Sequence, residues 1–187
     1  MKANERMNKQ LQMLSSIPLF RGLSAGEISE IATCMTQRTV ERGEVLFQLG
    51  QPSDAAYIVV SGDLSAFLQT AQQVQEIVRF TDESFFGELC LIKEGARALT
   101  VRANSSSTLL RLDRVKFTDL RSQRSTAAYR FIRNICVTAC DRLRTTNQFI
   151  EVEVQHGEQS VQTLGQKKTR MGTLKEKLGS FFGGKGR

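Results

Sequence analysis

Three residue types stand close enough in one stretch to do chemistry together. Residues 86–103 read FGELCLIKEGARALTVRA and hold Gly87, Glu88 and Arg97. Gly87 lets the backbone approach a bound group, because glycine has no Cβ and tolerates positive φ. Residues 88–92 are long enough for about one helical turn, whose free N–H groups face an anion. Glu88 is a carboxylate that accepts from hydroxyls, and Arg97 carries a rigid fork of donors that matches a phosphate. A hydroxyl acceptor beside two anion-holding devices is chemistry for a sugar phosphate.

Other chemistries lack parts. The only histidine, His156, lies far from any Ser, Cys or Asp constellation, and Tyr57 sits in a strand-like run, so no catalytic set is present. Cys34, Cys90, Cys136 and Cys140 show no disulfide-style spacing. Cys136 and Cys140 are one helical turn apart and could share a metal, but no further ligands stand nearby. All four are expected to be small buried hydrophobes in a reducing compartment.

The elements that must position the cassette are legible on both sides of it. A helix is expected over residues 4–14 with Met7, Leu11 and Leu14 on one face, then a break at Pro18. Ser24 and Glu27 form a capping box before Ile28, Ile31, Ala32 and Met35. From Thr36 the texture changes to short strands: Thr39-Val40, Val45–Phe47, Ala56–Val60, Leu64–Leu68, Val74–Phe80, Leu99–Ala103 and Thr108–Leu112. Turn signals at Gly43, Gly50, Gly62 and Gly87 separate them, a density that points to a sandwich or roll. Val115, Phe117 and Leu120 mark a short helix. Ser125 then caps a long one to about Glu151. Its stripe of Ala128, Phe131, Ile132, Ile135, Ala139, Leu143, Phe149 and Ile150 is expected to be buried on the roll, on its copy in a dimer, or on both in succession, with Arg130, Arg133, Arg142 and Arg144 between.

The cassette resembles the phosphate-binding stretch of the cyclic nucleotide-binding domains, FGE-(L/I)-x-L followed by PR-x-A-T-V-x-A. The phrase IPLFRGLSAGEISEIA is similar to that family's helical entry. The resemblance implies an α+β fold: an eight-stranded antiparallel β-roll (jelly roll) with N-terminal helices and a long C-terminal lid helix. It further implies that Glu88 takes the ribose 2′-hydroxyl and Arg97 the cyclic phosphate, in a pocket formed by Phe86, Gly87, Glu88, Leu89, Cys90, Arg97, Ala98 and Leu99. Ala96 replaces the usual proline and Leu99 a usual small residue; neither removes a ligand contact. In the family a hydroxyl residue after the arginine favours cGMP, and Ala98 has none, so cAMP is the expected ligand ahead of cGMP. The resemblance thus implies a Crp-like, stand-alone bacterial-type receptor, non-catalytic and without a cofactor, that couples ligand binding to the lid helix. That helix is also where a homodimer is expected to form.

Charge separates the ends of the chain. Its 187 residues carry 26 Lys/Arg against 19 Asp/Glu, a formal +7. From Gln155 onward seven Lys/Arg face only Glu158 and Glu176, a net +5, so the rest is close to neutral. The expected organisation is an N-terminal helix over 1–14, the nucleotide-binding domain over 15–152, and a basic, mostly disordered tail over 153–187. Within the tail, Met171, Leu174, Leu178, Phe181 and Phe182 fall on one side of a short amphipathic segment, suited to an anionic membrane or an acidic partner. DNA is not an expected partner, since the tail cannot form a helix-turn-helix domain. No apolar run is long enough to span a bilayer, and the polar N-terminus lacks a signal-peptide core, so a cytoplasmic protein is expected, peripheral to the membrane if the tail docks. The competing reading is a ligand-independent adaptor that recruits a protein effector through the same helix and tail.

Overall fold

A computed structural model describes residues 2–69 and 73–159, with side chains placed between residues 9 and 148. The amphipathic segment expected at 171–182, and the side chains of Met7, Phe149, Ile150 and His156, lie outside the described residues. Among these residues the chain forms helix α1 (Lys2–Ser16), a 3-10 turn (Pro18–Phe20), α2 (Ala25–Ala32), eight strands, and helices α3 (Arg114–Ser122) and α4 (Thr126–Gln159).

The strands are β1 (Met35–Val40), β2 (Val45–Phe47), β3 (Ala55–Ser61), β4 (Leu64–Gln69), β5 (Val74–Phe80), β6 (Phe85–Phe86), β7 (Thr100–Ala103) and β8 (Ser107–Asp113). They make two antiparallel four-stranded sheets in the orders β1-β8-β3-β6 and β2-β7-β4-β5. The non-sequential neighbours are those of a jelly roll, in agreement with the expected fold class.

Two apolar cores lie on opposite faces of the first sheet. On the outer face Leu14, Phe20, Ile31, Phe117, Phe131 and Ile135 of the helices meet Ala56, Ile58, Leu110 and Leu112. On the inner face Ala55, Tyr57, Val59 and Leu109 meet Leu64, Phe80 and Val101 of the second sheet. With both faces covered, β3 reads as an unbroken apolar run, Ala55–Val60. The two residues of β6 divide between the cores: Phe85 packs edge-on against Phe131, and Phe86 stacks on Phe80 with centroids 4.1 Å apart. This strand is absent from the seven sequence segments because two residues are too short to show a period. At Gly62, between β3 and β4, the backbone passes close against the start of β8: at φ +122° a Cβ would lie 2.1 Å from Ser107 Oγ.

Helix starts follow their caps. Ser24 Oγ accepts from Glu27 N, and the Glu27 carboxylate accepts from Ser24 N, the expected capping box. Ser125 Oγ accepts from Ala128 N at the start of α4, as its expected cap. That helix is held to the N-terminal bundle by Arg130, which pairs with Glu27, and by Asn134 Nδ2, which donates to the carbonyls of Leu19 and Arg21. Within the single chain the buried stripe runs as far as Ile135 and Leu143 is 63% exposed, because the bundle surface ends there. One expectation fails. Cys136 and Cys140 are exposed on the outer face of α4; only Cys34 and Cys90 are buried. Among the described residues no cluster of side chains could hold a metal ion.

Candidate ligand site

The cassette begins where β6 ends. Gly87 adopts φ +75°, a left-handed conformation that turns the chain into the 3-10 turn Glu88–Leu91. The chain returns through a loop that is pinned to residues 50–52: Arg97 N donates to Gln51 O at 2.8 Å, and Gly50 N to Arg97 O at 2.9 Å. Loop and turn together wall an open cleft of about 230 Å³ over the second sheet. Phe86, Gly87, Glu88, Leu89, Cys90, Arg97, Ala98 and Leu99 all line it. The sequence-derived residues are therefore brought to one cavity. Its apolar floor is supplied by Ala66, Val78, Phe80 and Val101.

Arg97 is 4% exposed, and its fork is only half used. Nη2 donates to Ala55 O at 2.8 Å and to Asp54 Oδ1 at 3.2 Å. Nε and Nη1 are buried and have no hydrogen-bond partner among the described residues. The guanidinium lies 4.1 Å above the centroid of the Phe47 ring, which fixes its plane by a cation–π contact. Gly87 is forced by this closeness as well as by its φ: a Cβ there would come within 2.8 Å of Arg97 Nη1. A buried cation with unmet donors is costly unless an anion completes it.

Glu88 is equally buried, at 3% exposure, but its charge is matched. Arg142, reaching in from α4, donates through Nη1 to Glu88 Oε1. Read by charge, Arg142 is one of the basic residues between apolar positions. Its spacing says otherwise, since 131, 135, 138 and 142 follow the three-and-four rhythm of the buried face. Ser53, Phe47 and Lys93 also line the cleft and are absent from the sequence-derived set. They come from irregular segments or from another strand, where no periodicity marks them.

Outside the cleft wall, charges buttress the Arg97 end. Asp54 Oδ2 accepts from Arg111 Nη2 at 2.8 Å, and Arg111 Nη1 donates to Asp113 Oδ2 at 2.7 Å. Burial alone would raise the Asp54 and Asp113 carboxyls, but hydrogen bonds and charge from Arg111 hold both below the usual range. Burial would likewise lower Arg111, and its two carboxylates reverse that, leaving it raised. Cys90, beneath the cleft, is pushed up to about 11 by desolvation.

Comparisons with known proteins agree with this geometry. Residues 37–124 match the sequence profile described as the cyclic nucleotide-binding domain. The chain is 32% identical over 106 residues to the cyclic nucleotide-gated potassium channel of Mesorhizobium japonicum, covering 57% of this chain and 28% of that one. It is 33% identical over 119 residues to the cAMP-dependent protein kinase regulatory subunit of Blastocladiella emersonii, covering 62% and 29%. The chain thus spans less than a third of the length of either relative. A solved cyclic nucleotide-binding domain from Methylobacillus flagellatus superposes with a TM-score of 0.68 at 18% identity, covering 88% of each chain, which shows the fold. Motif, topology and profile converge, and residues 37–124 of the chain are a cyclic nucleotide-binding domain.

Proposed function

We propose that this domain is a receptor for cAMP whose occupancy is reported through α4. The observation that carries the reading is Arg97: a buried guanidinium with two unmet donors at the wall of a cleft. A cyclic phosphate supplies one diffuse negative charge and acceptor oxygens suited to that fork. Glu88 then accepts the ribose hydroxyl, and the apolar floor takes the base. The relatives named above, one a cyclic nucleotide-gated channel and one a regulatory subunit of cAMP-dependent protein kinase, support the ligand class. Their domains are regulatory and not catalytic, and we assign the same role here. Ala98 offers no hydroxyl to a guanine, which favours cAMP over cGMP.

The Glu88–Arg142 pair gives the reporting step a physical basis. Only α4 contributes Arg142, so any ligand that draws on Glu88 changes what holds the helix over the cleft. The outer face of α4 exposes Tyr129, Val137 and Leu143, and we assign it to an effector or a second copy. The basic tail is proposed as a docking segment for anionic lipid; among the described residues no helix is long and apolar enough to cross a membrane.

The receptor reading is tested by thermal shift and calorimetry with cAMP, cGMP and 5′-AMP. cAMP is expected to raise Tm by several degrees at saturation, cGMP less, and 5′-AMP not at all. The absence of any shift or heat with both cyclic nucleotides overturns it in favour of the adaptor. Tail docking predicts co-sedimentation with phosphatidylserine vesicles that is lost when residues 167–187 are deleted.

A further inference from the structure

Arg97 is aimed by a partner that needs holding itself. Its Nη2 has two acceptors, the Ala55 carbonyl and the Asp54 carboxylate. The carbonyl belongs to β3 and cannot move far, but one bond allows the guanidinium plane to pivot about it. Asp54 supplies the second restraint, yet its side chain is 64% exposed and sits in the loop before β3. A carboxylate that open to water gains little from one ion pair and is free to leave it.

Arg111 removes that freedom. It stands on β8 directly opposite Tyr57 of β3, on the strand pair that frames the loop. Its two terminal nitrogens bridge Asp54 Oδ2 and Asp113 Oδ2. Asp113 is fixed in turn, because its other oxygen accepts from Lys116 N as the N-cap of α3. Arg114 N, in the same helix start, donates to the Asp54 carbonyl at 3.0 Å. The chain of restraint therefore runs from the α3 N-terminus through Asp113 and Arg111 to Asp54, and from Asp54 to Arg97, which lines the cleft. Arg111 does not line the cleft.

We propose that Arg111 is a positioning residue for phosphate recognition: by locking Asp54 it holds Arg97 with Nε and Nη1 turned toward the ligand. The inference rests on the cyclic nucleotide reading of the site and adds a residue to it. Preorganised donors gain affinity because the ligand need not restrain them itself. A lysine at this position keeps the charge but cannot bridge two carboxylates.

The test measures Kd by calorimetry for cAMP and for adenosine, which lacks the phosphate. Arg111→Met is expected to weaken cAMP about tenfold, and Arg111→Lys to recover only part of that. Adenosine binding is expected to stay unchanged in both. Asp54→Asn should weaken cAMP similarly, and the Asp54→Asn/Arg111→Met double variant should be no worse than Asp54→Asn alone, since both act on one restraint. Should Arg111→Met fail to fold, Arg111→Gln serves in the same cycle. Unchanged cAMP affinity, losses that add in the double variant, or equal losses for adenosine each overturn the proposal. A wild-type protein that binds no cyclic nucleotide overturns the reading of the site instead, and the proposal falls with it.

Discussion

The two charged ends of the cleft are built on opposite principles. At one, Glu88 is buried and its charge is met by Arg142, a side chain from a different element. At the other, Arg97 is buried to the same degree but leaves Nε and Nη1 unmet among the described residues. The same low-polarity surroundings act on both, so burial alone does not explain the difference. One end is satisfied by the protein and must be shared or exchanged when a ligand arrives. The other has donors to offer, and in the proposed reading an anion from outside takes them. Affinity should therefore be concentrated at Arg97 and communication at Glu88.

The sharpest way to break this contrast is to neutralise each end. Arg97→Ala is expected to weaken cAMP at least about a hundredfold, since it removes a charged pair and several donors together. Glu88→Gln should cost about tenfold, because an amide still accepts from a hydroxyl. Calorimetry on both variants checks this, and equal losses would erase the distinction between the ends. Arg142→Gln, which acts at the satisfied end, should change affinity by about threefold or less. Its main effect should be faster amide exchange in the backbone of residues 138–148, measured by mass spectrometry.

Thiol chemistry sharpens the picture of α4. Cys136 and Cys140 are exposed, whereas Cys34 and Cys90 are buried and their thiols are raised by desolvation. In the native protein at about pH 8 a disulfide reagent should modify two thiols quickly and two only on unfolding. Rapid modification of Cys90 would mean that the cassette opens readily. The smallest expected effect is on acid stability. Asp54 and Asp113 fold with carboxyls lowered from the ordinary 3.8. Their contribution is complete above that value and is lost as pH falls through the lowered folded values. Melting curves from about pH 6 to about pH 2.5 should steepen below about pH 4 in the wild type, and less so in Asp54→Asn.

Much of this arrangement is legible in the sequence because it is local. The Ser24–Glu27 box, the turn at Gly87 and the distance from Glu88 to Arg97 are all set within a few residues of chain. The bundle face of α4 as far as Ile135 is periodic and reads correctly. Beyond Ile135 periodicity does not say which surface covers the stripe, because it says nothing about where the bundle ends; within the single chain Leu143 is exposed. Arg142 illustrates the converse. It occupies a buried-face position that its charge disguises, and its partner is 54 residues away in sequence. Asp54 and Arg111 are 57 apart, and only the register of β3 against β8 brings them together. Pairings of that kind depend on topology, which no window of sequence contains.

The long reach of α4 has a mechanical meaning. Among the described residues Ile135 is its last fully buried side chain, and in the reporting step proposed above it is the natural fulcrum, with Arg142 on the same arm as the far end at Gln159. At about 1.5 Å of rise per residue the arm is about 10 Å long at Arg142 and about 36 Å at its tip. A straight helix tilting about Ile135 multiplies any displacement at the cleft roughly threefold at its end. An adjustment of about 1 Å where Arg142 meets Glu88 becomes about 3–4 Å at Gln159, enough to change which surface a partner meets there.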